Sequence, residues 1–238
     1  MPAKAFLSAL LLSAILSAAG GAGVVSTQNA EEKRRTQSRP GARVESSSVM
    51  EIPIRQAHTN HVLVPVTVQG VGTQFVLDTA AGMTFITPET RAKLGHGRGD
   101  DGESREVAGA GGSVAAETTI VRSLVVGPHE RKDLQVVVLD FKALQERVGE
   151  DFGGILGMDF LKDFDVRLDL RAKSLRLHPH DAPAVADEDG LRSLVKIPFR
   201  TFGSGFIFFD AEVGGRPVTG VMDVGAGHSI VNWRAAHA

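Results

Sequence analysis

Val76-Leu77-Asp78-Thr79-Ala80-Ala81-Gly82 returns 145 residues later as Val221-Met222-Asp223-Val224-Gly225-Ala226-Gly227. The match extends outward without a gap, from residues 52–93 onto residues 197–238, with nine of the 42 aligned positions identical. Ile52-Pro53-Ile54-Arg55 falls on Ile197-Pro198-Phe199-Arg200, and most other positions keep their apolar character. A unit present twice, with one aspartate at the same place in each copy, points to a site made from two carboxylates. Two such groups held together share a proton, so one can act as acid and the other as base on a single water.

The 238 residues suffice for one large domain or two of about 100 to 150 residues. With 42% apolar residues the chain can build a core, and a formal charge of −2 without a basic stripe argues against nucleic-acid binding. Tyr is absent, which removes one kind of stacking platform. Lys4, the apolar run from Ala5 to Ala19 and the small residues Gly20-Gly21-Ala22 read as a signal peptide over residues 1–22. The run falls short of the roughly 20 residues that span a bilayer, so no stable membrane anchor is expected after cleavage. The chain is expected to be secreted or periplasmic. It has no cysteine, hence no disulfide. Residues 23–49 are polar and lack an apolar period, so they read as a disordered linker.

From Glu51 the pattern is β. Val62, Val64, Val66 and Val68 alternate, which marks one buried face. A turn at Gly70-Val71-Gly72 leads into Gln74-Phe75-Val76-Leu77, and Thr84-Phe85-Ile86 is a further short strand. Pro88 opens a helix through Leu94, with Thr87 as N-cap. Residues 96–112 read as a loop ending in Gly109-Ala110-Gly111-Gly112, the tip of a mobile hairpin. Strands follow over residues 117–126 and 134–139, then a short helix from Phe141 to Val148, and Gly153-Gly154-Ile155-Leu156-Gly157. Met158 to Phe164 reads as a helix, and residues 166–170 and 174–177 as a hairpin. Residues 181–194 form a linker to the second copy at 195–238.

An apolar strand into Asp-Thr, small residues, a second apolar strand, a Gly-rich hairpin and then Ile155-Leu156-Gly157 resembles the aspartic proteases of the retropepsin-like and pepsin-like kind. The resemblance covers residues 50–180 and about a third of a second lobe. It implies an all-β fold, with a closed acid-protease β-barrel lobe over 50–180 followed by a partial second lobe. It implies that Asp78 and Asp223 are the catalytic pair of an endopeptidase. Thr79, Ala80, Ala81 and Gly82, with Val224, Gly225 and Ala226, would form the active-site loops. Gly109, Ala110, Gly111 and Gly112 would form the flap, and Ile155, Leu156 and Gly157 the motif whose glycine lets backbones approach closely. The reaction needs a peptide or protein substrate, and neither a metal nor a cofactor.

The chain departs from that pattern in three places. Ala80 stands where Gly is usual after Asp-Thr, and is tolerated only with negative φ. Val224 stands where Thr or Ser is usual, removing a hydroxyl that ties the two loops together. The second copy carries neither a flap nor an apolar-apolar-Gly strand before Ala238. About 44 residues cannot cover their own apolar strands, so this half-lobe is expected to be poorly ordered unless the first lobe supplies the missing face. Two alternatives follow: a homodimer through lobe one, with Asp78 meeting its symmetry mate, or a catalytically inactive peptide-binding module. Elsewhere, His58-Thr59-Asn60-His61 and His178-Pro179-His180-Asp181 read as structural or solvated histidines. Asp159, Asp163 and Asp165 read as helix-end and surface charges, and Trp233 and Phe206 to Phe209 as core.

Overall fold

The computed structural model describes residues 50–95, 104–109, 112–182, 194–233 and 236. The expected signal peptide at 1–22, the expected linker at 23–49, most of the expected linker at 181–194, and Ala110 and Gly111 of the expected flap tip lie outside these residues. Short strands β1 (Ile52–Pro53) and β2 (Arg55–Gln56) precede the hairpin of β3 (Val62–Val68) and β4 (Val71–Leu77). Then come β5 (Phe85–Ile86), α1 (Pro88–Lys93), β6 (Ser104–Gly109), β7 (Gly112–Val126) and β8 (His129–Val138). They are followed by α2 (Lys142–Val148), β9 (Gly154–Leu156), α3 (Met158–Leu161), β10 (Phe164–Asp169) and β11 (Ser174–Pro179).

The ladder β3-β4-β9-β5-β8-β7 returns to β3, so six strands close into a barrel. Closure leaves none of the six as an open edge. The alternation in β3 serves two cores. Val62, Val64, Val66 and Val68 join Phe75, Leu77, Leu156, Phe160 and Leu175, under α3 and the β1-β11-β10 sheet. Leu63 joins Val76, Phe85, Ile155, Phe141 and Val148, under α2. Phe85 meets Phe141 edge-on at 5.8 Å between centroids.

Local signals account for most boundaries. Thr87 accepts from the Thr90 N–H at 3.1 Å, and Pro88 starts α1. Gly149 ends α2 with φ 69°. The first hairpin turns at Gln69 and Gly70 rather than over Gly70 to Gly72. Both residues have positive φ, 47° and 85°, as a tight two-residue hairpin loop requires, so β4 already begins at Val71. Helix α3 stops at Leu161 rather than Phe164. Phe164 pairs with Pro179 in the next ladder and stacks on Phe160 at 5.5 Å.

The second copy forms a sheet of β12 (Phe199–Phe202), β13 (Phe206–Val213) and β14 (Arg216–Val221). Its registers repeat those of the first copy. Leu63 faces Val76 and Val68 faces Val71; Phe208 faces Val221 and Val213 faces Arg216, each shifted by 145. Arg55 opposite Leu63 has its counterpart in Arg200 opposite Phe208. Positive φ also recurs at matched turns: Asn60 with Gly205, Gln69 with Gly214 and Gly70 with Gly215. Phe206 is buried as expected, but Trp233 is not core: it is 79% exposed, because it follows β14 and no further described strand covers it.

Candidate active site

Asp78 leaves the end of β4, where its N–H donates to the Leu156 carbonyl at 3.1 Å. Strand β9 runs parallel to β4 with Leu77 beside Leu156, so the Ile155-Leu156-Gly157 strand flanks the aspartate. A Cβ on Gly157 would overlap the Met83 carbonyl, and one on Gly154 the Phe85 carbonyl. These glycines are therefore required by close approach of backbones rather than by a turn. The Asp78 carboxyl is buried, and Ala80 N–H donates to its Oδ1 at 2.8 Å. Ala80 is not among the residues with positive φ, so its methyl is tolerated where the family usually has Gly.

The far end of the loop is pinned as well. Met158 N–H donates to the Ala81 carbonyl at 2.8 Å. Thr84 donates through its N–H to Asp159 Oδ2 at 2.8 Å and through its hydroxyl to Oδ1 at 2.6 Å. The same hydroxyl accepts from Gly157 N–H at 3.2 Å. Asp159 is thus a clamp between the loop and α3, a correction to its reading as a surface charge. Burial raises its pKa, while the Thr84 donors, the Phe160 N–H and Lys162 pull it back. The fixed donors hold it only because the fold brings Thr84 across 75 residues of sequence. Asp163 and Asp165 are surface charges as expected: Asp163 pairs with Arg131, and Asp165 with His180 at 3.2 Å.

The second loop rests on the first. Thr79 Oγ1 donates to the Met222 carbonyl at 2.7 Å and accepts from Val224 N–H at 3.1 Å. One hydroxyl thus makes both ties; Val224 has none to return. Val224 instead packs its side chain against the barrel core. Gly225 lies against the Asp78 carboxyl, where a Cβ would overlap it. Ala226 N–H closes the loop on the Asp223 carbonyl at 3.4 Å. Asp223 faces Asp78. Burial pushes the Asp78 pKa well up, the nearby Asp223 charge raises it further, and the N–H groups of Ala80 and Ala81 offset part of this.

On the flap side, β6 and β7 pair from Ser104 opposite Glu117 to Gly109 opposite Gly112, and Val107 is buried against the α2-side core. Gly109 and Gly112 thus end the two strands of this hairpin. Around the loops, Gly82 is covered by Ser204 and Phe206, and Gly227 by Thr59 and His61. Pattern reading did not single out Ser204, Asn60 or His61 for the site, because their role depends on which copy they face. Among the described residues no group of three His, Asp or Glu is placed to hold a metal ion. No described helix is long and apolar enough to cross a membrane.

The closed barrel with this aspartate loop is of the acid-protease type. Residues 64–160 match the family model described as aspartyl protease. A retropepsin-like aspartic protease from Rickettsia conorii is similar at 24% identity and a TM-score of 0.40, over 54% of this chain and 89% of that one. The retroviral protease-like domain of Ddi1 from Leishmania major is similar at 14% identity and a TM-score of 0.31, over 51% of this chain and 96% of that one. No curated protein sequence matches the chain.

Proposed function

We propose that the chain is an aspartic-type endopeptidase whose two carboxylates, Asp78 and Asp223, hydrolyse peptide bonds through a bound water. What supports this reading is the packing of the second loop on Asp78: the Thr79 hydroxyl ties to Met222 and Val224, Gly225 lies against the Asp78 carboxyl, and the Asp223 charge acts on it. Two like charges in a buried site cannot both ionise at modest cost, so the pair holds one proton. The ionised member takes a proton from water as that water attacks the scissile carbonyl. The protonated member gives its proton to the carbonyl oxygen. The hairpin of β6 and β7 would close over the peptide and exclude solvent.

Gly225 against Asp78 favours a pair within one chain over a homodimer through lobe one, because a second Asp78 would need the same space. The test is cleavage of a synthetic peptide pool read by mass spectrometry. Asp78→Asn and Asp223→Asn should each lower turnover by about 10²- to 10⁴-fold. A silent Asp223→Asn beside a dead Asp78→Asn would instead point to the homodimer. The absent hydroxyl at Val224 and the open second sheet favour one competing reading, a peptide-binding module without catalysis. Peptides captured intact by the wild-type chain would establish that reading. The setting we propose is extracytoplasmic, to be checked by mass spectrometry of the N-terminus of the mature chain.

A further inference from the structure

The two copies meet through two reciprocal seams of unequal chemistry. Gly82 is covered by Ser204 and Phe206; Gly227 is covered by Thr59 and His61. Each residue of one seam lies 145 positions from its counterpart in the other. This is the contact pattern of a two-fold dimer, in which i meets j and j meets i. At one seam the buried residue is a phenyl ring, 4% exposed; at the other it is an imidazole, 6% exposed.

The imidazole seam has further contacts. Thr59 Oγ1 lies 2.8 Å from His61 Nδ1. Asn60, held at φ 69°, donates from Nδ2 to the Gly227 carbonyl at 3.1 Å. The charged or titratable groups acting on His61 are Arg147 from α2, His228 from the second loop and His58 from its own turn. All three are bases. His58 in turn borders Gly149, at the end of α2. Burial first, then Arg147 and His228, disfavour a proton on His61, and only the Thr59 backbone favours one. Loss of that neutrality places like charges on both sides of the contact that seats Gly227, four residues from Asp223.

We propose that the His58–His61 turn positions the second carboxylate loop on the barrel, and that protonation of His61 releases that loop while the phenyl seam stays closed. His61 and Asn60 touch neither substrate nor the reacting atoms; they act through the seating of residues 223–228. For its effect on cleavage the proposal rests on the Asp78–Asp223 reading. The seating itself can be read without cleavage.

The experiment is amide exchange on the full chain from about pH 7.5 to about pH 5, corrected for the intrinsic pH dependence of exchange, alongside peptide cleavage. Amides of residues 223–228 should lose protection about tenfold or more on acidification, while those of β13 keep theirs. His61→Phe, which copies the residue of the other seam, should abolish that loss. Asn60→Gly keeps the left-handed backbone and should lower protection of residues 223–228 at every pH. If His61→Phe does not fold, the double change His58→Gln with His228→Gln should shrink the pH effect. Where peptides are cleaved, kcat of the wild type should decline on acidification relative to that of His61→Phe, with KM little changed. Constant wild-type protection across this range, or the same loss in the variants, overturns the proposal. Exchange that behaves as expected in a chain that cleaves nothing would sink the endopeptidase reading and leave the seam intact.

Discussion

The Asp78 carboxyl is buried beside a second carboxylate, and the sign of its pKa shift fixes a stability prediction. Its folded pKa lies above the unfolded value, so the protonated native state is favoured at acid pH. Stability from this group is present at low pH and is lost as pH rises through the folded pKa. Asn has the same shape and does not titrate. Asp78→Asn should therefore melt at a higher temperature than wild type at neutral pH, with the gap closing on acidification. Scanning calorimetry at several pH values would decide; a wild type that is the more stable at neutral pH would contradict the buried, charge-opposed geometry. At this scale the sequence was uneven. Asp78 and Thr79 stood out because an apolar strand running into Asp-Thr is a local signal. Asp159 and His61 did not, because their burial comes from partners far along the chain, Thr84 for one and Gly227 for the other.

Among the elements, β9 is the one that tolerates least change. It is three residues long, yet it lies between β4 and β5 and hands its last carbonyl to Asp78. Gly157 ends it against the Met83 and Ala81 carbonyls. Neither neighbour is a flexible side chain, so Gly157→Ala must push backbone. Overpacking of this kind typically costs about 1–3 kcal/mol, and the shift would fall on the aspartate loop. Urea denaturation should report that loss together with reduced cleavage. A variant of wild-type stability would mean that β9 and the loop are looser than the packing implies. Most elements were legible from alternation, caps and turn glycines. The errors lie where tertiary contacts decide: α3 ends early because Phe164 is drawn into the β10–β11 ladder, and Trp233 is exposed because only neighbours outside its own segment could bury it.

For the molecule as a whole, the closed barrel was readable and the seating of the second copy on it was not. The repeat located Asp223, but Thr79 as the single hydroxyl serving both ties, and Phe206 and His61 as opposite seams, required the packed structure. If the pair forms within one chain, cleavage per chain should stay constant over about a hundredfold dilution, because tethered modules meet at a concentration set by the tether. Activity that falls in proportion to dilution would favour the homodimer through lobe one.

The single bridging hydroxyl has a consequence in mass-action terms. Two neutral hydrogen bonds through Thr79 and one through Asn60 contribute about 0.5–1.5 kcal/mol each. Burial of the Phe206 ring adds about 1.5–3 kcal/mol. Joining two separate chains costs an estimated 4–15 kcal/mol at standard concentration, so contacts of this size would leave free halves mostly apart. Covalent linkage removes most of that cost, with effective concentrations in the millimolar range for short flexible connections. A second copy fused to the barrel can therefore lose a tie such as the hydroxyl absent at Val224 and still sit in place, whereas separate subunits making the same contacts would associate far more weakly.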